Sequence, residues 1–242
     1  MTKRVRITAD GLGVSREVNS IIVEMSKEGL LTHVSVVGNG QYLDDTVDKI
    51  AEFGELDIGL HFNLTNGKSL SNPKLIPLLV DEKGNFKNSF FQLVRMGLNA
   101  NTAEILAEQA MIEFAKQEQK FLDKFGCLPK HLDSYQHVHI IPSIFKRLHK
   151  KEYGYIRVPL DLTSWSDIAS NFSLSNFVRH TITKYITKKA CKEMGISNQP
   201  QGVCGIYNSY ADQASIEKFI ARYPVQEVIL ELDKLSTAAQ KQ

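Results

Sequence analysis

The sequence predicts an α/β fold built on parallel strands, with the sheet either open or closed into a barrel, and three observations carry that prediction. Segments with period-2 apolar patterning alternate with segments of helical periodicity along the chain, as in successive βα units. At 242 residues the chain has the length at which α/β barrels fold as one unit. Polar residues of catalytic type fall where predicted strands run into loops, which is where such folds place their sites. The 43% apolar fraction supplies a core and the 23% charged fraction suits a water-exposed surface.

Val5 and Ile7 alternate with polar residues, predicting a first strand that ends near Asp10. Gly11-Leu12-Gly13-Val14-Ser15 reads as a turn with a helix N-cap, and Val18, Ile21, Ile22 and Met25 set a helix over 16–28. Gly29 stops it. A second strand follows at 31–37, a helix at about 43–53 and a short strand at 57–62. Residues 66–100, broken by Pro73 and Pro77, read as an irregular substrate-side loop containing a short helix. The clearest helix spans 103–124, with a turn from Gly126 to Pro129. Later come a helix at 142–151, a strand near 155–159, a helical insertion at about 160–200 containing a helix near 174–193, strands near 203–206 and 226–232, and a helix at 214–222. We expect a single domain over 1–242.

Composition excludes several function classes. A formal charge of +2 without a basic stripe argues against nucleic acid. Cys127, Cys191 and Cys204 form neither a disulfide framework nor a zinc pattern. No leader-like apolar region or membrane-length run is evident, so a cytoplasmic location is expected. There is no G-x-S-x-G for a nucleophilic serine, and Gly11-Leu12-Gly13 lacks the third glycine of a dinucleotide fingerprint.

The stretch His131-Leu132-Asp133-Ser134-Tyr135-Gln136-His137-Val138-His139 places three of the chain's seven histidines within nine residues. Read as a strand entering a turn, it sets Asp133, Tyr135, His137 and, if the strand persists, His139 on one face. That is the residue supply of a metal or acid–base site, since imidazole and carboxylate suit first-row ions. Asp10, at a strand end, is a candidate general base, against the plainer reading of an N-cap or Asx-turn. His61 is a candidate ligand only if partners converge on it from other strands, and otherwise a structural histidine. Glu113 and Gln117 lie one turn apart on the long helix and face either the site or the solvent, where charged helix residues more often lie. Arg157 ends a strand and can hold an anion or a carboxylate. Tyr155, Phe90 and Trp165 are either stacking residues for sugar rings or core aromatics.

Taken together, Thr8-Ala9-Asp10-Gly11-Leu12-Gly13-Val14-Ser15, Gly29-Leu30-Leu31-Thr32, Gly59-Leu60-His61-Phe62-Asn63-Leu64-Thr65-Asn66-Gly67, Glu113 with Gln117, the 129–139 stretch and Ile156-Arg157-Val158-Pro159 resemble the YdjC-like carbohydrate deacetylases. The resemblance runs from Arg4 to about Leu232. It implies a variant (β/α) barrel of the polysaccharide-deacetylase-like type and removal of acetyl groups from N-acetylated sugars. It further implies a divalent ion, magnesium or zinc, and a homodimer. Asp10 matches the position of the base and His61 that of a metal ligand. Asn63, Thr65, Glu113 and Arg157 are assigned to the carbohydrate.

Three positions depart from the family pattern. The second aspartate of its Ala-Asp-Asp is Gly11 here, the histidine of its Asp-Ser-His is Tyr135, and Glu231-Leu232-Asp233 stands at its His-Pro-Gly. Glycine offers no donor, and a phenol of pKa ~10 is a poor ligand while protonated. Of the family's metal triad only His61 remains, with Asp133, His137 and His139 as the available substitutes. Two readings follow. The chain is either an amide or ester hydrolase with Asp10 as base and an altered ion site, or a non-catalytic carbohydrate-binding or regulatory protein in which Asp10, His61, His137 and Arg157 only hydrogen-bond the ligand. A purely structural interaction protein is the third class, disfavoured by so many polar residues at strand ends.

Overall fold

The computed structural model describes residues 5–44, 47–51, 55–161, 174–196, 201–206 and 227–232, with positions 217 and 221. Among these residues eight strands form one sheet: β1 (Arg6–Leu12), β2 (His33–Val37), β3 (Asp57–Phe62), β4 (His131–Ser134), β5 (Tyr155–Ile156), β6 (Pro159–Asp161), β7 (Gln201–Ile206) and β8 (Glu227–Glu231). Their order is β5-β4-β3-β2-β1-β8-β7-β6, and every pairing is parallel. The two edge strands are neighbours in sequence. Ile156 and Pro159 can be at most about 11 Å apart along the chain, so the stretch Tyr155–Asp161 joins both edges and the sheet curls into the expected variant barrel.

The helices are α1 (Arg16–Lys27), α2 (Val47–Ala51), α3 (Phe90–Leu98), α4 (Ala103–Phe125), α5 (Pro142–Leu148) and α6 (Leu174–Glu193). Ser15 caps α1 as its sequence suggests, accepting from the Val18 N–H, and Gly126 ends α4 at φ +68°. The helix expected at 214–222 and Trp165 lie outside the described residues, apart from positions 217 and 221. None of the described helices is long and apolar enough to cross a membrane.

Strand alternation sorts the side chains into two interiors. Ala9, Val34, Val36, Leu60, Leu132, Val228 and Leu230 point outward and pack beneath the helices in one apolar core. Phe62 meets Phe114 of α4 edge-on at 5.2 Å, and each such buried ring contributes roughly 1.5–3 kcal/mol. The inward faces carry Thr8, Asp10, Ser35, His61, His131, Asp133, Arg157 and Glu227, all buried. The barrel is therefore filled by polar groups, which must satisfy one another.

Residues 66–89 cross the surface on the α4 side, with bridges pairing Lys68 with Asn85 and Val80 with Phe86. Glu113 of α4 is fully buried and accepts from the backbone N–H groups of Leu70 and Ser71 and from Gln117. Of the two orientations open to Glu113, site or solvent, solvent is removed: α4 buries it together with Ala110, Phe114 and Gln117. Glu113→Ala would strand two buried N–H groups, each worth about 1–3 kcal/mol. Limited proteolysis is expected to cut the 66–89 segment faster in that variant, and unchanged cleavage there would contradict the pinning role.

Candidate functional site

β1 bulges at Gly11. The register runs from Asp10 opposite Ser35 directly to Leu12 opposite Val36, and Gly11 takes φ +115°. A residue with a side chain is strained at that angle, which suits glycine and disfavours an aspartate on this backbone. The bulge ends the inward series of β1 on Asp10. His61 is level with Asp133 in the β3–β4 register, and Arg157 follows β5 directly, its N–H donating to the Leu132 carbonyl at 2.8 Å.

Arg157 is the hub. Its Nη1 donates to Asp10 Oδ2 at 2.7 Å and lies 2.7 Å from Asp133 Oδ2, while Nη2 donates to Asp10 Oδ1 at 3.0 Å and Glu227 Oε1 at 2.8 Å. The guanidinium is fully buried among three carboxylates. Thr8 donates to Glu227 Oε1 at 2.6 Å, and Arg6 lies 3.8 Å from the other oxygen. Burial opposes charge on every member. For Asp133 the nearby Arg157 and His61 win, and its carboxyl is held well below the usual range. For Asp10 burial wins, helped by the charge on Asp133, and its carboxyl is pushed up. Burial also opposes charge on Glu227, yet Arg157 and Thr8 hold that carboxyl down.

Asp10, His61 and Asp133 form a buried group whose potential ligand atoms all lie within 4.8 Å of one another, a set that could hold a metal ion. His61 Nδ1 is 2.7 Å from Asp133 Oδ1 and 3.9 Å from Asp10 Oδ2. The Tyr135 ring stands edge-on to His61, with centroids 5.9 Å apart, so Gly11 and Tyr135 occupy the flanks of the cluster.

The strand reading of 131–139 is correct only to Ser134. The chain then turns through a 3₁₀ segment, Tyr135–Ile140, with Gln136 at φ +55° and His137 at φ +58°. Two successive left-handed residues end the alternation after Tyr135, so Asp133 and Tyr135 both face His61 while His137 and His139 do not continue that face. Of the proposed substitutes only Asp133 joins His61. His137 instead stacks edge-on to His139 at 6.4 Å. His139 is fully buried: its backbone N–H donates to Ser134 Oγ, Nδ1 lies 2.5 Å from that oxygen, and Nε2 lies 2.6 Å from the Arg157 carbonyl. It staples the turn to the Arg157 segment.

Other assigned residues serve the scaffold as well. Asn63 accepts from the N–H groups of Thr65 and Asn66 and donates to Asn39, while Gln117 clamps the Asn63 backbone from α4. Thr65 is half-buried beside it. Tyr155 stacks on His131 at 5.0 Å and Phe90 is a core residue. Sequence reasoning did not single out Glu227, Thr8 or Ser35. The signal for Glu227 was a carboxylate opening the apolar strand Glu227-Val228-Ile229-Leu230, two positions from the inward Ile229.

A family model described as "YdjC-like protein" matches residues 4–232. The chain is 34% identical over 143 residues to a carbohydrate deacetylase of Clostridium beijerinckii, covering 59% of this chain and 54% of that one. It is 32% identical over 139 residues to a chitooligosaccharide deacetylase of Proteus mirabilis, covering 57% and 51%. The matched region thus spans about half the length of these curated relatives. A solved structure from Enterococcus faecalis V583, described as a candidate cellobiose-phosphate cleavage protein, superposes with a TM-score of 0.62 at 20% identity, covering 96% of this chain and 81% of that one. That likeness concerns the fold.

Proposed function

The chain belongs to the YdjC-like protein family, and we propose that it binds an N-acetylated sugar at the mouth of the barrel without a divalent ion. The observation that carries this reading is the Arg157 guanidinium lying between Asp10 and Asp133. Both Asp10 oxygens accept from it; Asp133 Oδ1 faces His61, and Oδ2 accepts from Ser35. Every carboxylate oxygen of the cluster is already engaged, and the positive charge among them is permanent. A divalent ion would have to displace a buried arginine, and Gly11 and Tyr135 supply no compensating ligand. With Arg157 in place, the carboxylates of this set are not open to the ion that the family resemblance implies.

Asp10 and His61 are each only 2% exposed. The sugar is then held by the rim of the barrel, while Arg157 fixes the Asp10 and Asp133 carboxylates beneath it. A second reading, an acetamide hydrolase with Asp10 as base, is favoured by the close approach of Asp10, His61 and Asp133. Metal analysis, acetate release and calorimetric titration with N-acetylglucosamine oligomers separate the two. Purified full-length chain is expected to carry far less than one equivalent of zinc or magnesium. It should release no acetate when either is added, and should still bind the oligomers saturably. Stoichiometric metal with acetate release would establish the hydrolase and overturn the metal-free reading. Absence of both binding and release would remove the sugar assignment.

A further inference from the structure

We propose that Ser35, backed by His131, is a positioning residue that assigns the two central carboxylates, giving Asp133 to His61 and leaving Asp10 to Arg157. His61 Nδ1 faces both acids, with Asp133 Oδ1 at 2.7 Å and Asp10 Oδ2 at 3.9 Å. What decides between them lies on the far side of Asp133. Its Oδ2 accepts from Ser35 Oγ at 2.7 Å, and it is also 2.7 Å from Arg157 Nη1. That same Nη1 serves Asp10 Oδ2 at 2.7 Å, so the arginine's hold on Asp133 is shared whereas the hydroxyl's is not. Among the described residues, Ser35 is the donor to Asp133 Oδ2 that does not also serve Asp10.

The proton directions follow from donor arithmetic. A carboxylate can only accept, so His61 directs an Nδ1–H at Asp133 Oδ1. Ser35 has one hydroxyl proton, committed to Asp133, so its oxygen accepts from His131 Nε2–H at 3.0 Å. His131 is then the opposite tautomer, protonated on Nε2. Its ring is seated over Gly59, where a Cβ would come within 2.3 Å of it, and is stacked on Tyr155, so it cannot turn away from Ser35. Donors thus converge on Asp133, from His131 through Ser35 on one side and from His61 on the other. Such a chain has a use, because the partner of one imidazole nitrogen decides what the other presents.

This assignment extends the sugar-binding reading by defining what His61 offers at the mouth, and its test does not depend on any sugar. Nitrogen-15 NMR of the histidine rings in the full chain reads tautomers directly. Wild type is expected to show His61 as Nδ1–H and His131 as Nε2–H, each as a single form. Ser35→Ala is expected to turn His61 and His131 into tautomer mixtures, and Ser35→Thr, which keeps the hydroxyl, to restore the single forms. His61 protonated on Nε2 in wild type would overturn the proposal. So would a Ser35→Ala protein that unfolds more easily yet keeps both tautomers, because that is the result of a purely structural serine. Sugar titration of the same samples scores the functional reading separately.

Discussion

Replacing Arg157 with methionine is expected to cost the fold roughly 3–5 kcal/mol, the largest effect of any substitution considered for this chain. The side chain is fully buried and ion-paired to Asp10, Asp133 and Glu227, and three carboxylates press its guanidinium well above its ordinary pKa despite burial. Methionine keeps much of the volume and removes the only cation within 3 Å of Asp10 and Asp133 among the described residues. Arg157→Lys should recover little, because one ammonium cannot meet both Asp10 oxygens and Glu227 with fixed geometry. Asp10→Asn in the methionine background should regain part of the loss, since it removes one of the stranded charges. Urea unfolding of the four proteins of that cycle gives the coupling energy. A methionine variant within 1 kcal/mol of wild type would mean that the interior ion pairs do not organise the barrel.

Acid is expected to weaken the protein well before Asp133 titrates. Burial depresses both His131 and His139 to about 4 in the folded state, with neighbouring acceptors only partly offsetting it. In the unfolded chain each titrates near 6.5. Between those values the unfolded state binds more protons, so stability must fall as the pH is lowered from about 6.5 toward 4. Each histidine contributes up to roughly 3 kcal/mol across that window at 1.36 kcal/mol per pKa unit. The depressed Asp133 acts in the same direction, but its share is lost only as the pH drops below about 4. Urea midpoints taken from pH 7 to pH 4.5 should decline steadily, and His139→Gln should lower the whole curve while flattening its slope. A flat profile between pH 7 and pH 5 would refute the neutral, buried assignment.

The parts of the fold that were legible in sequence are those set by local chemistry. Period-2 apolar residues gave the strands, Ser15 gave the start of α1, and Gly126 gave the end of α4. Asp10, His61, Asp133 and Arg157 were legible as polar residues at strand ends. Their pairing was not, because which acid faces which base depends on register between strands far apart in sequence. The reading of 131–139 failed for a definable reason. Gln136 and His137 adopt left-handed φ, a conformation that usually calls for glycine or asparagine, and nothing in their side chains announces it. The orientation of Glu113 stayed open because a helix carboxylate belongs in water unless the chain brings N–H donors to it. Here a segment more than forty residues earlier does so.

The stretch Tyr155–Asp161 has a consequence for how the protein comes apart. It is the seam of the barrel, pairing with β4 through its first two residues and with β7 through its last three. Arg157 sits in the break between those halves and reaches acids borne by β1, β4 and β8. A barrel opened at this seam would release the arginine from its partners and dissolve the polar interior in the same act. Closure of the sheet and assembly of the centre are thus one cooperative event, with no half-open form that retains the site. Any molecule that binds the assembled centre acts as a clasp, and its affinity becomes a direct measure of how tightly the barrel is shut.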